Sequence, residues 1–373
     1  MKRVISVLLL LAATGLANAQ SHGYLPTGEF PKTDFSITSI DFNSILSGGP
    51  PRDGIPAIDR PKFVSIDMAR EWLGPNEPVV AYVNGEDARA YPLQILIYHE
   101  IVNDTVGEKP VTVTFCPLCN ASIVFDREVA GEILDFGTTG RLRNSDLIMY
   151  DRQSESWWQQ FTGRGIIGQY NEIKLTQLPS QIVSFDTFAQ SFPKGKILGK
   201  ETGYLRPYGN NPYSGYDDIN NSPFLYKGPE DKRLPPMERI LAITSENADS
   251  LLIPVSPLQN KPVLNIEFNE QSVVIVATTS AQSALDKSKI DESRLIPAAA
   301  AFAAHIDNKP LTFEWQNGKL VDKESGSSWN VFGKALDGPH KDKTLTQIDN
   351  GVHFAFAWLA FEPDSVIHEF SNK

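Results

Sequence analysis

The chain has 373 residues, a formal net charge of −11 and a pI near 5.1. Nucleic acid and anionic membranes are polyanions, so this acidity excludes them as expected partners. The length exceeds what one ordinary hydrophobic core holds, and we therefore expect two domains or one duplicated architecture.

The N-terminus predicts export. Met1-Lys2-Arg3 is followed by an apolar segment that runs to Leu16 and by Ala17-Asn18-Ala19. A charged start, a short apolar segment and an Ala-x-Ala sequence are typical of a secretory signal peptide. We predict cleavage after Ala19 and a periplasmic or secreted product. No other apolar run approaches the roughly 20 residues of a membrane span.

Composition divides the remaining chain into four segments. Residues 20–60, here the arm, are rich in Pro, Gly, Ser and Asp, which predicts an extended segment wrapped on the domain. Residues 61–200, the first half, contain alternating apolar runs typical of strands, among them a hairpin predicted around Asn84-Gly85. Residues 201–238, the connection, are rich in Tyr, Pro and Gly and predict an ordered loop. Residues 239–373 form the second half.

The two cysteines of the chain, Cys116 and Cys119, lie in the first half. A β-branched run precedes Cys116 and another follows Asn120, so Cys-Pro-Leu-Cys predicts a turn between two strands. This setting resembles the metal-binding knuckles of rubredoxins and zinc ribbons rather than a thioredoxin motif, which enters a helix. Asn120 stands where Gly is usual, because Asn enters the left-handed region more readily than other residues with a Cβ.

The second half resembles the first in its order of segments. Lys174-Leu175-Thr176-Gln177 is matched by Lys343-Thr344-Leu345-Thr346-Gln347, and each follows a Trp-centred strand, at Trp158 and at Trp329. We therefore predict a strongly β-dominated α+β fold of two related antiparallel halves in tandem, with short helices only. The second half has no cysteine, so sulfur chemistry belongs to the first.

Several motifs together resemble the bacterial domain of unknown function 3179 family. The resemblance extends over nearly the whole chain after the leader, but it implies no activity. Two departures are Asn120, in place of a common Gly, and Trp157, which doubles a single Trp. The motifs are Tyr91-Pro92-Leu93, His99-Glu100-Ile101-Val102-Asn103-Asp104, Thr114-Phe115-Cys116-Pro117-Leu118-Cys119, Phe125-Asp126-Arg127, Ser145-Asp146-Leu147-Ile148-Met149-Tyr150-Asp151-Arg152 and Trp158-Gln159-Gln160-Phe161.

A metal at Cys116 and Cys119 needs further ligands. His99 is the predicted third ligand, and Met149 or His353 the fourth; His353 would reach the site across the interface between the halves. Such a set is soft, which suits copper or zinc, with copper favoured by a thioether. We therefore predict a protein that binds or handles a soft metal.

Two alternatives stay open at this stage. One is a thiol–disulfide oxidoreductase acting on a small-molecule or protein thiol, with Arg127 or Arg141 supplying the cation that a reactive thiolate needs. The other is an extracellular ligand-binding module, built on Trp157-Trp158 and the tyrosines between Tyr204 and Tyr226, with the cysteines as a structural disulfide.

Overall fold

A computed structural model describes residues 26–245, 247 and 249–370. The predicted signal peptide, residues 1–19, lies outside the described residues. Within the described ranges, none of the helices is long and apolar enough to cross a membrane.

Strands dominate the structure, as the predicted fold class requires, and the helices are short. The strands of the arm and the first half are β1 (Ile45–Ser47), β2 (Phe63–Ser65), β3 (Pro78–Asn84), β4 (Asp87–Pro92), β5 (Ile101–Val106), β6 (Lys109–Cys116), β7 (Ala121–Asp126), β8 (Glu128–Val129), β9 (Glu132–Ile133), β10 (Phe136–Arg143), β11 (Asp146–Asp151), β12 (Trp157–Gln159), β13 (Arg164–Ile167), β14 (Gln177–Leu178), β15 (Gln181–Ser184) and β16 (Lys196–Leu198).

The strands of the second half are β17 (Arg239–Thr244), β18 (Ser250–Pro254), β19 (Val263–Phe268), β20 (Gln271–Gln282), β21 (Leu295–Ala303), β22 (His305–Ile306), β23 (Lys309–Pro310), β24 (Phe313–Gln316), β25 (Lys319–Asp322), β26 (Ser328–Trp329), β27 (Asp349–Phe354) and β28 (Val366–Ile367). The α-helices are α1 (Ile66–Ala69), α2 (Leu93–His99), α3 (Phe185–Ser191) and α4 (Ala355–Leu359). Short 3-10 helices cover Phe42–Ser44, Pro117–Cys119, Ser256–Gln259 and Ile290–Glu292.

The predicted hairpin between β3 and β4 forms, but its turn lies one residue later than expected. Asn84 pairs with Asp87, so the two turn residues are Gly85 and Glu86. Gly85 has a φ of +60°, which suits Gly at the first position of a type II′ turn. Asn84 stays in the strand, where its side chain donates to the Val106 carbonyl at 2.9 Å.

Sheets in the two halves share a strand order. One runs β15-β3-β4-β16-β2 and the other β27-β17-β18-β28. In each sheet the third and fourth strands of this order are parallel: β4 with β16, and β18 with β28. Three-stranded antiparallel units also match: β5-β6-β7 with β19-β20-β21, and β10-β11-β12 with β24-β25-β26. Common ancestry of the halves by tandem duplication stays a prediction.

Side-chain contacts recur at the matched positions. The Trp158 indole N–H donates to Asp151 at 3.0 Å, and the Trp329 indole N–H donates to Asp322 at 2.9 Å. In both pairs the carboxylate lies seven residues before the tryptophan. The bond supplies the partner that a buried indole N–H requires.

One hydrophobic core continues from the first half into the second. Phe115 and Phe161 lie in the same buried cluster as Leu252, Phe354 and Trp358. The arm packs against the opposite face of the first half, where Phe30 makes edge contacts with Tyr150 and Trp157. The cysteine hairpin is therefore held between the bulk of the first half and a wall from the second.

The second half holds the connection in place through a loop between β20 and β21. Backbone bonds join Asn211 to Ser288 at 2.9 Å and Ile290 to Gly209 at 3.0 Å. Beside them, the buried Asp217 carboxylate contacts both Arg239 and Arg294 at 2.8 Å. This loop occupies the place in the second half that the cysteine turn occupies in the first, because each joins the last two strands of its three-stranded unit.

Candidate metal centre

The cysteines lie at the tip of a tight hairpin. Cys116 ends β6 and pairs with Ala121 at the start of β7, and the residues from Pro117 to Cys119 form one 3-10 turn. Pro117 fits the first position of that turn, since its ring fixes φ and it lacks an N–H that would be unpaired there. Asn120 has φ +49° and ψ +34°, the predicted left-handed conformation. The predicted strand-turn-strand setting is thus confirmed.

A second hairpin tip meets the first. Asn144 and Ser145 join β10 to β11, and both have positive φ, +53° and +65°, the pattern of a type I′ turn. The turn places Asp146 at the first position of β11. The Cys116 thiol lies 3.7 Å from the Ser145 carbonyl, which makes it a weak donor to that oxygen.

Cys116, Cys119 and Asp146 form one compact buried group. Their two sulfurs and a carboxylate oxygen all lie within 4.8 Å of one another. The three residues are 2%, 0% and 0% exposed. In the part of the chain that the structure describes, this is the one group of three or more Cys, His, Asp or Glu residues so arranged.

The two oxygens of Asp146 differ in their contacts. Oδ2 accepts from the Gln159 side chain at 2.6 Å and from the Phe161 backbone N–H at 2.9 Å. Oδ1 is buried and has no hydrogen-bond partner among the described residues. One oxygen is therefore fixed by Gln159 and Phe161, while the other has no such partner in a carboxylate that lies against the two thiols.

Glu100 adds a second buried carboxyl group beside the cluster. It ends α2 in a left-handed conformation with φ +57°, and its carbonyl accepts from the Phe115 backbone N–H at 2.8 Å. Its carboxylate forms no hydrogen bond or ion pair within the described ranges. Burial, and secondarily the charge of Asp146, raise the pKa of Glu100 to about 8.

The cluster holds four acidic groups in a dry environment. Burial raises the pKa of Asp146 to about 7, raises the pKa of the Cys116 thiol and raises that of the Cys119 thiol further. Both cysteines are free thiols. The guanidinium of Arg143 contacts the Gln159 amide at 3.5 Å and the Ser44 hydroxyl at 3.3 Å, and among described ion pairs none includes Asp146 or Glu100.

Two tyrosines of the connection cover the site. The Tyr216 hydroxyl donates to the Leu118 carbonyl at 3.0 Å and accepts from the Phe224 backbone N–H at 3.2 Å. Burial raises the pKa of Tyr213, and the neighbouring Glu100 and Cys116 raise it further. The connection therefore lies directly over the cysteine turn.

A comparison with protein-family models gives one match, which covers residues 52–365 and carries the description "Protein of unknown function (DUF3179)". The chain belongs to this family. No curated protein and no solved structure matches the chain. The DUF3179 match extends over both halves and the connection, so the family includes the whole site described above.

His99 of this DUF3179 protein lies next to Glu100 but has both ring nitrogens engaged. Nδ1 donates to the Pro56 carbonyl at 2.7 Å, so Nε2 is the acceptor for the Tyr208 hydroxyl at 2.6 Å. Burial lowers the pKa of His99. As a metal ligand, His99 would have to give up the bond from Tyr208, and this role stays a prediction.

Met149 and His353 are both fully buried near the site. Met149 pairs with Trp158 across β11 and β12 and lies in the core that also contains the cysteines. His353 packs between Phe161 and Trp358, with ring centroids 4.9 and 5.6 Å away. The second half reaches the cysteine hairpin through a backbone carbonyl, because Asn120 donates to Val352 at 3.2 Å. Ligand roles for Met149 and His353 stay predictions.

Of the residues proposed for the two alternatives, Tyr213 and Tyr216 lie over the site, whereas the arginines and tryptophans are engaged elsewhere. Arg127 pairs with Asp135, and Arg141 pairs with Glu29 at 3.0 Å. Trp157 and Trp158 are 1% and 0% exposed, so they form core rather than a binding surface.

Sequence reasoning missed Asp146 and Glu100 as site residues. A usable signal was present for Asp146, since an acidic residue opens an otherwise apolar strand, Leu147-Ile148-Met149-Tyr150. Glu100 likewise follows the apolar segment that forms α2.

Proposed function

We propose that this DUF3179 protein binds a zinc ion through the thiolates of Cys116 and Cys119 and through Oδ1 of Asp146. The observation that carries the proposal is the convergence of two buried thiols and a buried carboxylate, of which Oδ1 has no hydrogen-bond partner among the described residues. The metal ion is the partner in this proposal, and the predicted export would make the protein a metal-binding component outside the cytoplasm.

The distances fit a tetrahedral ion. Zinc bonds of about 2.3 Å to sulfur and about 2.1 Å to oxygen place ligand atoms roughly 3.5 to 3.8 Å apart. The three candidate ligand atoms already lie within 4.8 Å of one another. Small side-chain rotations are enough to close the remaining gap.

Hydrogen bonds hold one oxygen of Asp146 in place, as is usual for carboxylates that bind metals. Gln159 and the Phe161 N–H hold Oδ2, which directs Oδ1 away from them. Such outer contacts fix a ligand before the ion arrives and raise affinity.

The charges favour a cation over redox chemistry. Removing several acidic groups from water without a counter-charge is costly, and a divalent ion supplies the missing positive charge. A reactive thiolate needs a nearby cation or helix N-terminus, whereas burial raises the pKa of both thiols here. These features support a metal site over a thiol–disulfide oxidoreductase.

The carboxylate shifts the preferred metal from copper towards zinc. Copper(I) prefers thiolate and thioether ligands, while zinc accepts a mixture of sulfur and carboxylate oxygen. Three protein ligands leave a fourth position, which in this proposal faces Glu100 and Tyr213. If the Glu100 carboxylate binds at this fourth position, the zinc has four protein ligands, as in structural sites. If a water binds there, the zinc keeps one exchangeable position, as in catalytic sites.

Metal analysis of the full exported protein, purified with its thiols reduced, tests the proposal. We expect one zinc per chain, and a thiolate-to-cobalt charge-transfer absorption when cobalt(II) replaces zinc. Cys116→Ser and Asp146→Asn should each remove the stoichiometric metal, since each removes one ligand.

Asp349→Asn is the matched control, because the Asp349 carboxylate likewise accepts two hydrogen bonds, here from the backbone N–H groups of Ala301 and Gly351, but lies on β27. It should retain its zinc. Wild-type protein without stoichiometric zinc, or with copper in its place, would refute the proposal, and full zinc binding by Asp146→Asn would remove Asp146 from the ligand set.

A further inference from the structure

A pocket of about 470 Å³ opens between the two halves, beside the cysteine hairpin. Its walls come from both halves and include Phe125, Phe161, His353, Trp358 and Phe361. A volume of this size is typical of small-molecule sites, which favour clefts between domains.

The Nδ1 atom of His353 is a hydrogen-bond acceptor to which no described residue donates. Its Nε2 lies 2.8 Å from the Asn350 carbonyl, which can only accept, so Nε2 carries the proton. Nδ1 is therefore an unprotonated acceptor, and it has no partner in the described part of the chain. The residue is fully buried, which makes an unmet acceptor costly.

Aromatic rings form the apolar walls. Phe161 and Phe361 are stacked with centroids 5.1 Å apart, and Phe161 also meets Trp358 edge-on at 5.6 Å. Planar apolar ligands gain both buried area and favourable ring contacts in such surroundings.

Two cations face each other at the pocket rim. Arg164 and Lys174 are opposite partners in an isolated antiparallel bridge, and both line the pocket. Like charges directly opposite destabilise a β pairing. Neither side chain has an ion-pair partner among the residues that the structure describes, and Glu362, which also lines the pocket, pairs with neither of them, so an anion at the rim would relieve the repulsion.

We infer that this pocket binds a small aromatic anion that carries a hydrogen-bond donor. The rings of Phe161, Phe361 and Trp358 hold its planar body, Arg164 and Lys174 hold its negative group, and Nδ1 of His353 accepts from its hydroxyl or N–H. The inference does not depend on the zinc proposal, because Cys116, Cys119 and Asp146 take no part in it.

The test compares para-hydroxybenzoate with benzoate as probes, by isothermal titration calorimetry on the full protein. We expect para-hydroxybenzoate to bind more tightly by about tenfold, the effect of one hydrogen bond in a dry pocket. Equal affinities, or no binding of para-hydroxybenzoate, would overturn the inference.

Variants assign the contacts. His353→Phe should abolish the preference for the hydroxyl while keeping benzoate binding. The double variant Arg164→Gln with Lys174→Gln changes exposed residues only, so it should fold normally and weaken both probes at least tenfold. Lys309→Gln with Lys319→Gln, two exposed lysines that do not line the pocket, is the matched control and should change neither affinity.

Cys116→Ser separates this pocket from the proposed zinc site. Unchanged probe binding in that variant supports the pocket. Loss of probe binding would show that the probes bind at the cysteines and would overturn the inference.

Discussion

Asp217→Asn tests whether the second half holds the connection over the cysteine turn. Asp217 is 0% exposed, and its Oδ2 contacts Arg239, which is 8% exposed, and Arg294, which is 44% exposed. The change keeps the shape of the side chain but removes its charge. Arg239 would then be a buried guanidinium without a counter-ion.

Removal of one partner from a buried ion pair costs about 3 to 5 kcal/mol. Arg294 adds little to this figure, since water screens a half-exposed guanidinium. With an unfolding entropy near 2.1 cal/mol/K per residue, roughly 350 residues turn that cost into a fall of about 4 to 7 °C in melting temperature. Scanning calorimetry measures this fall.

Hydrogen exchange shows where the effect acts. Amides of residues 208–226 should exchange faster in Asp217→Asn, because their anchor is weakened. Asp231→Asn is the matched control within the same connection: its pair with Arg233 is partly exposed, and loss of such a pair costs about 1 kcal/mol or less. Equal melting temperatures for the two variants would show that the Asp217 cluster does not anchor the connection.

Three further predictions concern stability. Burial lowers the pKa of His353 from 6.5 to about 4, so the unfolded chain takes up the proton first as the pH falls. The free energy of unfolding should therefore fall by about 3 kcal/mol between pH 6.5 and pH 4. Chemical denaturation of His353→Gln should show a flatter pH profile, and a profile identical to that of the wild type would contradict this role of His353. Trp158→Phe and Trp329→Phe each lose one indole bond to a carboxylate, and both should cost about 1 to 3 kcal/mol in urea unfolding; a large effect in only one half would count against equivalent roles. Asn120→Ala should be less stable than Asn120→Gly by about 1 to 2 kcal/mol in urea unfolding. Both variants lose the hydrogen bond to Val352, and only Gly adopts a positive φ without strain. Equal free energies of unfolding would exclude that strain.

Local features of the site could be predicted from sequence. The β-branched runs on either side of the cysteines predict the hairpin, and Asn120 predicts its left-handed residue, because both follow from preferences of adjacent residues. Local preference predicts this turn one residue too early, since Asn84-Gly85 is a strong turn signal. The contact of Asn84 with Val106, a residue 22 positions away, keeps Asn84 in the strand instead.

The full candidate ligand set could not be predicted in this way. Asp146 is 27 residues beyond Cys119 in sequence and reaches it because two hairpins from different sheets meet at their tips. The conformational preferences of residues adjacent in sequence do not indicate which hairpin tips will lie side by side in the fold. Side-chain chemistry favours His99 as a ligand, yet packing gives both of its ring nitrogens to other partners, and its neighbour Glu100 interacts with the cluster.

The cover over the cysteine turn has a consequence for the order of events during synthesis. A chain emerges from its N-terminus onward, and early segments fold first. Tyr216 can close over Leu118 only after the loop around Ile290, which binds the connection, has been made. Until that loop, some 170 residues beyond Cys119, has folded, both sulfurs lack this cover. The cover over both sulfurs thus depends on the half that has no cysteine.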